Sequence, residues 1–441
     1  MPEATAFFYS LFEKCGLVGC GFVWASAAQA QSRETDLAFQ AVPFQEWLSE
    51  GPKAQLPWRA RIFAPELSQH QRIWVRIQIE VDGNELLKRC CNGRSVALVE
   101  ITDQQGRTYR NYAAQDLKEV KPGLSQYTVT LSWTVFVLPG DYQVALALYY
   151  SGREGHSLAV ERLHVGSLKN DPLPESWRGL PSLEFCDPQP EGIDEYLLPG
   201  VTGRLQLSVM TRRPIRVEIL ENLTPYRAEQ RHPTQYKDRL GVFLPILKTF
   251  GQMEVKNGSL DLTTLDFTRN RETFVQEGVK EGHVDLAGLR DALAASTTKV
   301  IDVHDIRKSE QYGVFFRQEM ARRFAEKKES RLEGDHALPV LIIISGMMQF
   351  GFGKPISIAP PLGGNFVVYY LRYESLPTPS SQRTFVPLPQ VQGQPQLERL
   401  EQTVDGIGEE LKGLKPRVLK VHSAEGVRKA IATIVDEISR M

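Results

Sequence analysis

Two short stretches set oxygen-bearing side chains where they could do chemistry, Asn222-Leu223-Thr224 and Ser345-Gly346. The second ends an aliphatic run, Pro339-Val340-Leu341-Ile342-Ile343-Ile344, too short to span a membrane and suited to a strand covered on both faces. A residue at the carboxyl end of such a strand stands on the rim where open sheets bind their ligands. A serine held on a sharp strand-to-helix turn can act as a nucleophile. The motif Gly-x-Ser-x-Gly, however, needs a glycine two residues before the serine, and Ile343 stands there. Ser345 is therefore not predicted to be catalytic.

Imidazole and carboxylate together suit zinc or manganese, and Asp302, His304 and Asp305 lie close in sequence, with His283 and Asp285 upstream. Neither histidine belongs to an i, i+4 pair of the zincin kind, so the group reads as exposed polar loop. Gly351-Phe352-Gly353-Lys354 is too short for a phosphate loop and lacks the hydroxyl residue after its lysine. Arg322 to Arg331 alternates in charge sign and reads as a solvated helix face. No Cys-x-x-Cys spacing exists, which removes the signal for redox catalysis or a thiolate zinc site.

The chain has 441 residues, 42% of them hydrophobic, enough for two or three domains with proper cores. Its 52 Lys and Arg balance 53 Asp and Glu, so no basic excess drives nucleic-acid binding. Residues 1–30 read as an export signal. Lys14 precedes an apolar, small-residue run that ends in Ala28-Gln29-Ala30, with Gln31 as the new N-terminus. Leu17-Val18-Gly19-Cys20 also fits a lipoprotein box, and the apolar Phe7 to Phe12 leaves a downstream start codon open. Removal of the signal leaves Cys90, Cys91 and Cys186. One of the adjacent pair could bridge Cys186 in an oxidising compartment, or all three could be buried thiols. No later segment is long and apolar enough for a transmembrane helix. The expected location is periplasmic or extracellular.

These residues need elements to position them. Ile73, Val75, Ile77, Ile79 and Val81 alternate with polar residues, and the same period recurs around Val96 to Thr102, Tyr127 to Val135, Tyr142 to Tyr150 and Leu158 to Val165. Residues 58–168 are therefore expected to form a β-sandwich of immunoglobulin or fibronectin kind. Residues 169–204, rich in proline and acid, read as an extended linker. Beyond them strands alternate with helices. Tyr312, Phe316, Met320 and Phe324 form a helical stripe leading into the aliphatic strand, and Ser423 caps a helix carrying Val427, Ile431, Ile434 and Ile438. The fold class expected for residues 205–441 is α/β, a doubly wound, mainly parallel sheet.

The order of elements, with Val217 to Thr224, Gly258 to Thr268, Leu338 to Gly346 and Val418 to Ile438, resembles a von Willebrand factor A-like domain, in particular the divergent kind in exported bacterial proteins. The resemblance covers roughly the last half of the chain. It implies a metal-ion-dependent adhesion site built on Asp-x-Ser-x-Ser, a later threonine and a further aspartate, since a hard cation needs carboxylate oxygens. Here Asn222, Thr224 and Ser345 occupy the corresponding positions, with Glu221 adjacent and Thr297 or Thr298 as the later threonine. With the carboxylates absent, the site is expected to be degenerate and to hold no metal or other cofactor. The function implied is an exported, non-catalytic protein that docks a protein partner. The alternative is a hydrolase or metal-dependent enzyme that uses the same rim.

Overall fold

The structure, a computed structural model, describes residues 33–89, 94–116, 127–151, 155–186, 193–224, 233–279, 282–297, 311–332, 337–348, 350, 356–360, 366–374 and 405–441. The expected export signal, Cys90, Cys91 and Asp302 to Asp305 lie outside them, as do Thr298 and Gly351 to Lys354. The chain divides into two compact units. One is built from Met1–Phe63, Arg76–Trp133 and Pro139–Val165, the other from Ala64–Val75, Thr134–Leu138 and Gly166–Met441.

In chain order the strands of the first unit are β1 (Lys53–Ala54), β2 (Arg59–Ile62), β4 (Ile73–Asp82), β5 (Arg94–Asp103), β6 (Thr108–Asp116), β7 (Thr128–Val137), β8 (Gly140–Tyr150) and β9 (His156–Val165). Strand β3 (Glu66–Leu67), Ile73 to Val75 of β4 and Thr134 to Val137 of β7 belong to the second unit. One sheet runs β1-β9-β8-β5-β6 with every pair antiparallel. In the other sheet β2 lies antiparallel to β4. The period-two pattern of β4 places Ile77 and Ile79 fully inside, as alternation on a half-buried strand requires. Strands β5 and β8 are instead buried on both faces. Val96, Leu98, Ala145 and Ala147 are covered by Phe39, Phe44 and Trp47, the last two on helix α1 (Phe44–Glu50). The sequence shows only a polar stretch there. Three large apolar side chains at uneven intervals close one face of a sheet without giving a helical period.

The second unit continues with β10 (Leu183–Phe185), α3 (Asp194–Leu197), β11 (Leu207–Val209), β12 (Ile215–Asn222), α4 (Pro233–Gly251), β13 (Met253–Val255), β14 (Gly258–Asp266), β15 (Arg271–Gln276), α5 (Leu286–Thr297), α6 (Tyr312–Leu332), β16 (Leu338–Gly346), β17 (Val367–Tyr373), α7 (Gly406–Leu411), β18 (Arg417–Val421) and α8 (Ala424–Ser439); α2 (Gly83–Arg89) lies in the first. A six-stranded sheet has the order β15-β14-β12-β16-β17-β18. Apolar residues of α4, α5 and α8 pack on one face and those of α6 and α7 on the other. Gly258 admits β14 beside β12, because a Cβ there would lie 1.9 Å from the Ile215 carbonyl oxygen.

The expected fold class, a doubly wound, mainly parallel α/β sheet after an immunoglobulin-like sandwich, is corrected by this pairing. Antiparallel and mixed sheets dominate. The first unit pairs antiparallel, and parallel pairing from β14 to β18 is only part of one mixed sheet whose β15 edge is antiparallel. The reason is local. A tight turn follows β14, with Asn270 left-handed (φ 49°) and Arg269 N–H donating to Asp266 Oδ1 at 3.2 Å, so the chain returns beside β14 without a crossover helix. Two-stranded β11-β13 forms a further, separate sheet.

The described residues of 169–204, which are 169–186 and 193–204, are not an extended surface connection. They contribute a 3-10 turn (Pro174–Trp177), strand β10 paired with β7, and helix α3, and they bury Leu180, Leu183 and Leu197. Arg428, 1% exposed on α8, holds them. Its Nε and Nη2 donate to Asp171 at 2.6 and 2.8 Å, Nη2 donates to the Leu173 carbonyl at 2.7 Å, and its guanidinium lies 4.6 Å over the Trp177 ring. Among the described residues no helix is long and apolar enough to cross a membrane.

Candidate functional site

Strands β12 and β16 lie side by side in parallel register, Glu221 opposite Ile344, so Asn222 and Ser345 leave the ends of adjacent strands on the same face. The structure brings the three residues singled out in the sequence together. Asn222 Nδ2 donates to Ser345 Oγ at 2.9 Å and to Met348 Sδ at 3.3 Å. Asn222 Oδ1 accepts the Thr224 N–H at 3.0 Å, a local turn of the kind asparagine favours. Thr224 Oγ1 accepts the Phe267 N–H at 2.8 Å, and the Ser345 hydroxyl donates to the Gly346 carbonyl at 2.7 Å.

All three side chains are buried, at 2%, 2% and 0% exposure. An asparagine amide has two donor hydrogens and one acceptor oxygen, and here each function has a partner. This is a closed, neutral hydrogen-bond network. A hard cation requires several oxygen lone pairs facing one space, whereas here an amide N–H occupies the gap between the two strands and the serine hydrogen is turned to the backbone. The donor set therefore does not fit the divalent cation that the resemblance implies. The same geometry bears on Ser345 as a nucleophile, since its Oγ is fully buried and engaged by Asn222 and Gly346.

Glu221 does not complete an oxygen cage with these residues. Strand alternation sends it to the opposite face, with Ile219 and Leu223, beside Thr264 of β14. It is 0% exposed and neither carboxylate oxygen has a hydrogen-bond partner among the described residues. Burial alone pushes its carboxyl well above the ordinary range. Thr264 Oγ1 is taken by Thr273 Oγ1 at 2.6 Å, and Asp266, at the end of β14, holds Arg269 at 2.6 Å.

A second polar group on the rim carries no sequence signal. Asp405 accepts from Tyr370 Oη at 3.0 Å and from Arg372 Nη1 at 3.2 Å. Glu374 meets Arg372, Lys420 Nζ at 3.4 Å and His422 Nε2 at 3.2 Å. Burial, with the Asp405 charge, holds the Tyr370 hydroxyl well above its usual range. Asp405 follows the Pro/Ser/Gln-rich segment by which the sequence separates it from β17, so neither spacing nor periodicity could have joined them.

The remaining sequence candidates separate. Asp285 caps α5, its Oδ1 accepting the Gly288 N–H at 2.9 Å, while His283 Nδ1 lies 3.1 Å from Arg204 Nη1. Thr297 is the last residue of α5. Cys186 is buried, packed with Phe136 and Leu198, and its candidate bridge partners Cys90 and Cys91 lie outside the described residues. In the stretch from Arg322, Arg322 and Glu326 are exposed, as a solvated face requires, while Arg323 turns inward and is 6% exposed.

No protein-family model matches the chain, and no curated protein matches it. Among solved structures, the X-ray structure of Northeast Structural Genomics Consortium target SoR45 is similar over 25% of this chain and 86% of its own, with 14% identity and a TM-score of 0.15, a likeness too slight to carry fold or function.

Proposed function

We propose that this chain is an exported, non-catalytic docking protein whose rim is an adhesion site of the von Willebrand factor A-like kind, converted from cation binding to internal hydrogen bonding. One observation carries the reading: the Asn222 amide bonds Ser345 directly, across the position where two carboxylates would share a cation. A rim closed in this way keeps its shape without metal, so a protein partner meets a fixed surface rather than a coordination vacancy. The burial of Ser345 Oγ supports the non-catalytic half of the proposal.

Two measurements test it. Calorimetric titration of the full chain with Mg²⁺ and with Mn²⁺ is expected to give no saturable heat, and saturable binding lost in Thr224→Ala overturns the reading. In the native host, crosslinking should capture the same partner with and without a chelator. Capture abolished by EDTA would mean that a metal mediates docking after all.

A further inference from the structure

In the first unit, helix α1 covers one face of the five-stranded antiparallel sheet, and a histidine lies at the contact. Strand alternation sets His156, Leu158 and Val160 of β9 on that face, beside Tyr149, Ala147 and Ala145 of β8. His156 is 7% exposed, and its ring lies flat against the Trp47 indole, with centroids 4.0 Å apart and planes at 7°. Its backbone N–H donates to Gln55 Oε1 at 2.9 Å, but its ring Nε2 is buried and has no hydrogen-bond partner among the described residues. Around the ring stand Glu50 of α1 and Lys53 of β1, whose charged atoms are 3.5 Å apart, and Tyr149 of β8, held in its neutral form by burial. A neutral imidazole can leave Nε2 as an idle acceptor. An imidazolium instead places a charged N–H there, buried and unanswered. The indole face favours a cation, yet it offers no acceptor for that N–H, whereas water reaches it once α1 has left.

We propose that α1 is an acid-released strap, in which protonation of His156 breaks the Trp47 stack and α1 detaches to bare the apolar face of Val96, Leu98, Ala145, Ala147 and Leu158. The helix has only seven residues and no side-chain cap at its N-terminus, so packing rather than its own hydrogen bonds holds it. Trp47 ties it to β9 through His156 and to β8 through Tyr149, whose ring centroid is 6.0 Å away. Gly51, left-handed at φ 86°, ends the helix and supplies a pivot. Strands β8 and β5 keep their antiparallel neighbours when the strap leaves, so it can open without unfolding the sheet. Desolvation first, then the Lys53 charge, lower the His156 imidazole from its ordinary 6.5, with Glu50 opposing them. The released state takes up a proton that the strapped state resists. The strap's stability is therefore complete above 6.5 and is lost as pH falls through the lowered value.

Hydrogen exchange of the full chain at about pH 7.5 and about pH 5, corrected for intrinsic chemical rates, tests the strap across the range in which histidine titrates. Peptides covering 44–51 are expected to exchange about tenfold faster at the lower pH, while those of β5 stay protected at both. The dye ANS should brighten at the lower pH alone, as the apolar face is bared. His156→Phe keeps a ring against Trp47 and cannot take a proton, so it should hold 44–51 protected at both pH values. Should that variant fail to fold, the wild-type His156 imidazole followed by NMR decides, because a midpoint at or above 6.5 overturns the proposal. Equal corrected exchange over 44–51 at the two pH values, or a wild-type response that persists in His156→Phe, overturns it as well.

Discussion

Glu221 and Asn222 are neighbours in sequence with opposite fates, and the strand between them decides which. Asn222 turns to the face where Ser345, Thr224 and Met348 satisfy it, whereas Glu221 turns into apolar packing and has no hydrogen-bond partner among the described residues. A buried carboxyl without a partner is neutral or destabilising, and it becomes worse as pH rises. Its folded-state value lies above the ordinary 4.5, so its stabilising proton is held in full below 4.5 and lost as pH rises through the raised value. Glu221→Leu is therefore expected to raise stability by about 1 to 3 kcal/mol, the usual cost of an unsatisfied buried polar group. Urea unfolding should show the gain growing from mildly acid to alkaline pH. A variant less stable than wild type at alkaline pH would mean that the carboxylate has a partner after all. The network around Asn222 was half legible in sequence. The strand end placed Ser345 on the rim and the resemblance set Asn222 and Thr224 at matching positions, but the direction of each hydrogen bond depends on side-chain angles that sequence does not specify.

At the scale of elements, α8 shows how one helix serves two purposes. Ser423 accepts the Gly426 N–H at 3.3 Å, and Val427, Ile431, Ile434 and Ile438 form the apolar face, both legible from capping chemistry and helical period. Arg428 sits beside that face and would be read from sequence as solvent-exposed. Instead it is buried and clamps Asp171, Leu173 and Ser176 in the segment expected to be a linker. Arg428→Met removes the cation and leaves Asp171 unpaired in a protected site, a change that costs about 3 to 5 kcal/mol for a buried pair. Chemical denaturation measures it directly, and Asp171→Asn in the same background should recover part of the loss. A cost within experimental error would show that the clamp is incidental.

At the scale of the whole chain, the second unit is assembled from three separated segments, Ala64–Val75, Thr134–Leu138 and Gly166–Met441. Each supplies a partner that the others need. The Gln71 carbonyl accepts from Trp177 Nε1 at 2.8 Å, Arg72 pairs with Glu184 at 2.6 Å and packs over Phe136 at 4.6 Å, and the Leu197 and Leu198 carbonyls receive Lys248 Nζ at 2.6 and 2.9 Å. A fragment cut at 205–441, the boundary that the sequence suggests, keeps Lys248 but loses its two carbonyl partners and every other group in these contacts. It is expected to lose cooperative thermal unfolding, seen as a broad melt by circular dichroism, whereas a sharp transition would show that the late segment folds by itself. The sequence by itself determined the period-two strands, the capped helices, the buried aliphatic run of β16 and the lack of carboxylates at Asn222 and Ser345, because each follows from a residue's own chemistry and its near neighbours along the chain. Only the tertiary structure decided that β15 turns back antiparallel, that a proline-rich stretch is anchored by a distant arginine, and that Glu221 is shut away from the rim. Those outcomes depend on which segments meet in space, and packing between residues far apart in sequence leaves no local period to read.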